Sequence, residues 1–230
     1  MLMEEKTKMN PDIKEQMFEY TFCKYRSLDG CKRWLMDIFE SNRLYMSSYK
    51  EQNDFEEGDY YFSSNNGLEI NHILEMLRNG KSEYKICSMS LEKKDRFDKG
   101  KLNRLLWGHY ANGGNGILIR FKLGKSILSD KNFTLGEIAY GKKFILSEEE
   151  KSNVCDDILV KKILLHKYTD WDYENEFRVL SRYSNYCPIE ITEVVIGPKS
   201  KTKDNGTVEE LRETYHNINF ITFESAYGNY

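Results

Sequence analysis

The chain is poor in residues that staple or punctuate a small protein: among its 230 residues are three prolines, four histidines and five cysteines. The cysteines, Cys23, Cys31, Cys87, Cys155 and Cys187, are odd in number, widely spaced and never arranged as CxxC, which excludes a disulfide framework and a zinc knuckle. A reducing, cytoplasmic setting fits that usage. The histidines, His72, His109, His166 and His216, have no HxH or HExxH spacing and no cysteine partner, so no structural metal is expected. Neither a GxSxG nucleophile elbow nor a GxxxxGK[ST] phosphate loop occurs, which argues against hydrolases of the α/β type and P-loop nucleotide hydrolysis. No apolar run approaches the ~18 residues a bilayer demands, and the opening MLMEEKTKMNPDIKEQ lacks the apolar core of a secretory signal, so no membrane partner is expected.

Charge of one sign is missing as well. The net charge is −3 with lysines and arginines interspersed among acids, which gives no basic footprint for general nucleic-acid binding. Apolar matter is plentiful: 40% of the residues are hydrophobic, with 16 Tyr and 12 Phe, enough to offset the entropy lost on folding. A single folded unit of this length buries about 70–75% of its unfolded surface and needs no external staple.

Periodicity orders the chain. After a polar arm over 1–19, alternation predicts a strand over 20–26, helical spacing a helix over 31–39, and a strand returns over 44–48. Helices are predicted over 66–78, with Gly80 as its stop, over 102–110, and over 148–168 as the longest. Strands are predicted over 84–90, 117–121, 137–140, 174–182 and 189–196, the last two joined through a turn around Asn185 and Pro188. A short helix over 208–216 and a strand over 219–223 close the chain. The glycines of 111–116 precede a strand, whereas a dinucleotide-binding glycine loop follows a strand and opens a helix. The order predicts one α+β domain over 20–230, with a mixed, largely antiparallel sheet flanked by helices.

The most suggestive chemistry is in Tyr173-Glu174-Asn175-Glu176-Phe177-Arg178. On a strand, Glu174, Glu176 and Arg178 would share one face, with the carboxylates about 7 Å apart and a cation beside them. Such tension between like charges often marks a functional site. The commoner arrangement for that spacing is the solvated outer face of an antiparallel strand. Arg26 could clamp a phosphate, although a surface ion pair is the more frequent use. Ser88 and Ser90 share a strand face, and Ser47 and Ser48 close another strand. His109 and Tyr110 end a helix after Trp107, where a histidine more often caps than binds. Asp54, Glu56, Glu174 and Glu176 could together offer oxygens to Mg²⁺ in a nuclease, but no accompanying lysine is evident.

The succession Tyr25-Arg26, Leu44-Tyr45-Met46-Ser47-Ser48, Asn53-Asp54-Phe55-Glu56, Cys87-Ser88-Met89-Ser90, Trp107-Gly108-His109-Tyr110-Ala111 with Gly116, and Lys167, Trp171, Tyr173-Glu174-x-Glu176-x-Arg178 resembles the bacterial family filed as domain of unknown function 2971. The likeness covers roughly residues 20–200. The family's usual Asn-Asp-Pro-Phe-Glu stands here without its proline. The order of arginine, serine and Glu-x-Glu is also similar to the Arg-Ser-Glu pattern of ADP-ribosyltransferases. That second resemblance implies a split sheet with NAD as substrate. It implies Arg26 on the phosphates, Ser90 or Ser47 supporting the ribose, Glu176 as catalytic carboxylate and Glu174 as acceptor-side base. Trp107, His109 and Tyr110 would line the pocket, with Arg178 holding the glutamates ionised. The acceptor would be a protein or nucleic acid, and the setting a toxin or phage-defence effector. A non-catalytic nucleotide-binding or interaction module of a defence system is the alternative, ahead of the metal-dependent nuclease.

Overall fold

Aromatic and β-branched residues at period two build the strands, and those strands form a mostly antiparallel sheet with flanking helices, an α+β fold. The computed structural model describes residues 17, 20–30, 32–54, 56–62, 67–92, 103–146, 157–200 and 206–228, with backbone alone over 67–70. Apart from Met17, the expected arm over 1–19 lies outside these residues, as does the 148–156 part of the longest predicted helix. In their described residues the chain forms two compact units, one from Tyr45–Ser88 and Asp130–Tyr186, the other from Asn10–Leu44, Met89–Ser129 and Cys187–Tyr230.

In the first unit, Glu176–Ser181 pairs antiparallel with Phe133–Glu137, and Ser47–Ser48 pairs with the start of Lys85–Glu92. The core gathers Leu77, Tyr84, Ile86, Leu159, Val160, Ile163, Leu164 and Leu180. Two helices meet there, Gly67–Glu83 and Asp157–Leu164. Gly80 does not stop the first helix as expected, because the helix runs on to Glu83. The glycine serves the crossing instead: a Cβ at Gly80 would come 2.8 Å from Val160 Cγ2.

The second correction concerns residues 165–168, expected as helix. The helix ends at Leu164, and His166–Tyr168 is a strand parallel to Ala139–Gly141. A third correction concerns Glu174, which ends a 3-10 helix over Thr169–Glu174 rather than opening a strand. Asn175 then takes the left-handed conformation at φ 44°, and the strand starts at Glu176.

In the second unit, Thr21–Ser27 lies antiparallel to Gly116–Leu123, which in turn pairs with Tyr186–Ile196; Asn219–Thr222 joins that last strand in parallel. Pro188, expected in a turn, sits inside Tyr186–Ile196. Phe22 stacks on Phe121 across one face of the pairing at 6.1 Å. Cys23, Tyr25, Arg120 and Ser90 occupy the other face by register, under Trp107, whose ring meets Tyr25 edge-on at 5.3 Å. Among the described residues no helix is long and apolar enough to cross a membrane.

Candidate functional site

The strand Glu176–Ser181 brings a guanidinium into the interior of the first unit, and Arg178 is fully buried. A buried cation is tolerated only when carboxylates and carbonyls take up its donors. Arg178 meets that condition with Glu57, which accepts from Nη1 at 2.6 Å and from Nη2 at 2.7 Å. Glu176 accepts from Nε at 2.7 Å and Nη2 at 3.3 Å, and the Leu164 carbonyl accepts from Nη1 at 2.6 Å. That carbonyl is within reach because Gly136, opposite Arg178 in the pairing, leaves room for Leu165; a Cβ there would lie 2.7 Å from Leu165 Cδ1.

A second cation closes the cluster. Lys167, on the short strand His166–Tyr168, donates from Nζ to Glu174 at 2.6 Å and to Glu176 at 3.3 Å, and lies over the Trp171 ring at 4.4 Å. Lys167, Glu174, Glu176 and Glu57 are all buried, while Trp171 and Tyr173 are half-buried. The Glu176 backbone N–H donates to the Tyr140 hydroxyl at 2.7 Å, fixing the start of the strand.

Burial alone would raise the Glu176 carboxyl, but Arg178 and then Lys167 outweigh it and hold the group at about 2, ionised at any physiological pH. Burial works against the Lys167 and Arg178 charges, and the neighbouring glutamates more than restore them. Burial raises the Tyr140 hydroxyl, which stays protonated.

Of the residues expected at the site, Glu174, Glu176 and Arg178 come together here. They are no solvated strand face, since Glu174 and Glu176 are 5% exposed and Arg178 is at 0%. Burial selected the arrangement that spacing alone made the less common. Ser47 is in the same unit, where its hydroxyl accepts from Gln52 at 2.7 Å, and Ser88 donates to the other end of that amide at 3.3 Å. The same hydroxyl is also within hydrogen-bond reach of the Glu176 carboxylate, which its one proton can serve in place of the amide, so the serine at this cluster is Ser88.

Arg26, Ser90, Trp107, His109 and Tyr110 belong to the second unit. Within it, Arg26 follows Phe22 and Lys24 on one face of Thr21–Ser27, and Ser90 lies beside Cys23 on the opposite face, so the two do not share a surface. Arg26 donates to the Tyr25 carbonyl at 3.4 Å. The arginine on the Ser90 face is Arg120, which pairs with Glu92 at 3.0 Å and Glu193 at 2.5 Å.

Sequence reasoning missed Glu57 and the role of Lys167. Glu56 and Glu57 are adjacent acids, and only the fold shows that Glu57 is the buried one. Asp54, weighed as a metal ligand, accepts from the Glu56 N–H at 3.0 Å and shapes the turn. Lys167 supplies the lysine that the nuclease reading lacked. Arg178, however, already occupies Glu176, one of the four carboxylates weighed, and among the described residues no three His, Cys, Asp or Glu side chains converge as a metal set.

Residues 106–179 match the model of a family described as "Protein of unknown function (DUF2971)". The match spans Trp107 through Arg178 and so takes in Lys167, Glu174 and Glu176. No curated protein and no solved structure matches the chain.

Proposed function

We propose that the first unit binds NAD and breaks its bond between nicotinamide and ribose, passing ADP-ribose to water or to an acceptor. One observation carries the reading: two buried carboxylates, Glu174 and Glu176, converge on a single point beside an aromatic face, and one of them is kept ionised. A fixed negative charge next to the reacting carbon is what an oxocarbenium-like transition state requires. As nicotinamide leaves with the bonding electrons, Glu176 would stabilise the positive C1′. Glu174 would take the proton of the incoming hydroxyl, and Trp171 or Tyr173 would stack on the nicotinamide. This reading uses the residues of the first unit alone.

A second reading has its own support. Glu176 already accepts twice from Arg178 and once from Lys167, with the Ser88 hydroxyl beside it, close to the capacity of a carboxylate. A carboxylate so engaged favours a module that binds the nucleotide without turning it over.

Nicotinamide release from NAD, measured beside NAD binding by calorimetry, separates the two. Turnover that falls about 10²-fold or more in both Glu174→Gln and Glu176→Gln, with folding retained, supports the enzyme. Binding heat without released nicotinamide supports the module. Absence of both defeats both.

A further inference from the structure

Lys167 is held between two carboxylates and an aromatic ring. Its ammonium lies between the Glu174 and Glu176 carboxylates, 2.6 and 3.3 Å away, with the Trp171 ring 4.4 Å from Nζ. Acid walls and an indole face are the set by which proteins take up desolvated organic cations. Here the set already holds a cation, one that belongs to the chain. The three carboxylates Glu57, Glu174 and Glu176 face two cations, Arg178 and Lys167. If Lys167 swings out, Glu174 and Glu176 lose the ammonium that both contact. Buried uncompensated carboxylates are costly, so only a positively charged replacement restores the balance. Lysine suits such an exit because its ammonium is a point charge on a flexible four-carbon stem, whereas Arg178 is fixed by a bidentate fork. Trp171 and Tyr173 are half-buried, whereas Lys167, Glu174 and Glu176 are buried, so the aromatic side of the cluster borders solvent.

We propose that this cage is a subsite for a small organic cation of the pyridinium or quaternary-ammonium class, which Lys167 occupies until the ligand displaces it. The inference rests on the NAD reading for the natural ligand, whose nicotinamide ring is a positive pyridinium. Recognition of charge by the cage is a separate claim and is tested without turnover.

The probes are N-methylnicotinamide methylated on the ring nitrogen, a 1-methylpyridinium cation, and nicotinamide, its near-isosteric neutral partner. In the full-length protein, Lys167 is shielded from an amine-acylating reagent. Its labelling, followed by peptide mass analysis, rises several-fold as N-methylnicotinamide is added and is unchanged by nicotinamide. In Lys167→Met, N-methylnicotinamide binds about tenfold more tightly than in the parent, a difference on the scale of a desolvated cation–π contact. Labelling that ignores saturating N-methylnicotinamide, or responds equally to both probes, overturns the proposal. So does a folded Lys167→Met with no gain in affinity. Should that variant fail to fold, the labelling of the parent protein decides alone. Cation-dependent exposure of Lys167 without nicotinamide release would reject NAD turnover and leave the cage standing. Release with Lys167 still shielded would reject the cage.

Discussion

Arg178 satisfies two glutamates and a backbone carbonyl from a position with no solvent access, so its removal takes the ion-pair partner from buried Glu57 and leaves Glu176 to Lys167. Arg178→Met is expected to lower stability by about 3–5 kcal/mol in urea unfolding, with part recovered when Glu57→Gln is added. Glu176 gives the cluster a pH signature. Its carboxyl falls from the ordinary 4.5 to about 2 on folding, so at intermediate pH the unfolded chain binds more protons. Stability therefore climbs with pH across that window and is lost as pH falls through it, by an amount of order 3 kcal/mol. Urea midpoints at about pH 3 and about pH 6 should differ by less in Glu176→Gln than in the parent. The alternation of Glu174, Glu176 and Arg178 was readable at this scale because it is local. Glu57 was not, since it comes to Arg178 from 121 residues away and nothing in its own neighbourhood distinguishes it from Glu56.

Elements decide which local preference prevails. The run 148–168 reads as one helix because Ile158, Leu159, Ile163 and Leu165 keep helical spacing, yet His166–Tyr168 pairs with Ala139–Gly141 and buries Lys167. Strand pairing and two carboxylates outweigh helix propensity over three residues. Gly80 was legible as special and misread as a terminus, since its partner Val160 lies 80 positions on. Gly80→Ala should cost about 1 kcal/mol, because the stiff Val160 cannot yield, and should turn favourable by a similar amount in a Val160→Ala background. Asn175 makes the bend that lets Glu174 and Glu176, no longer alternate residues of one strand, both reach Lys167. Asn175→Gly is expected to be nearly neutral and Asn175→Val to cost about 1–2 kcal/mol, as measured by thermal unfolding.

At the scale of the molecule, the α+β class and most strands followed from alternation, which survives without knowledge of pairing partners. Division into units did not, because the chain passes between them at 44/45, 88/89, 129/130 and 186/187 with no linker composition at any of these points. Lys85–Glu92 itself contributes its first half to one unit and its second to the other.

Lys81 donates to the Gly58 carbonyl at 2.6 Å while lying over the rings of Tyr49 and Tyr60, at 4.9 and 4.8 Å. Ring currents from the two tyrosines should shift its ε-methylene protons upfield of those of the exposed lysines, as the Trp171 ring should do for Lys167. The Lys81 signal is a built-in beacon for the segment that delivers Glu57, and its return to the crowd would announce the moment the segment lifts away.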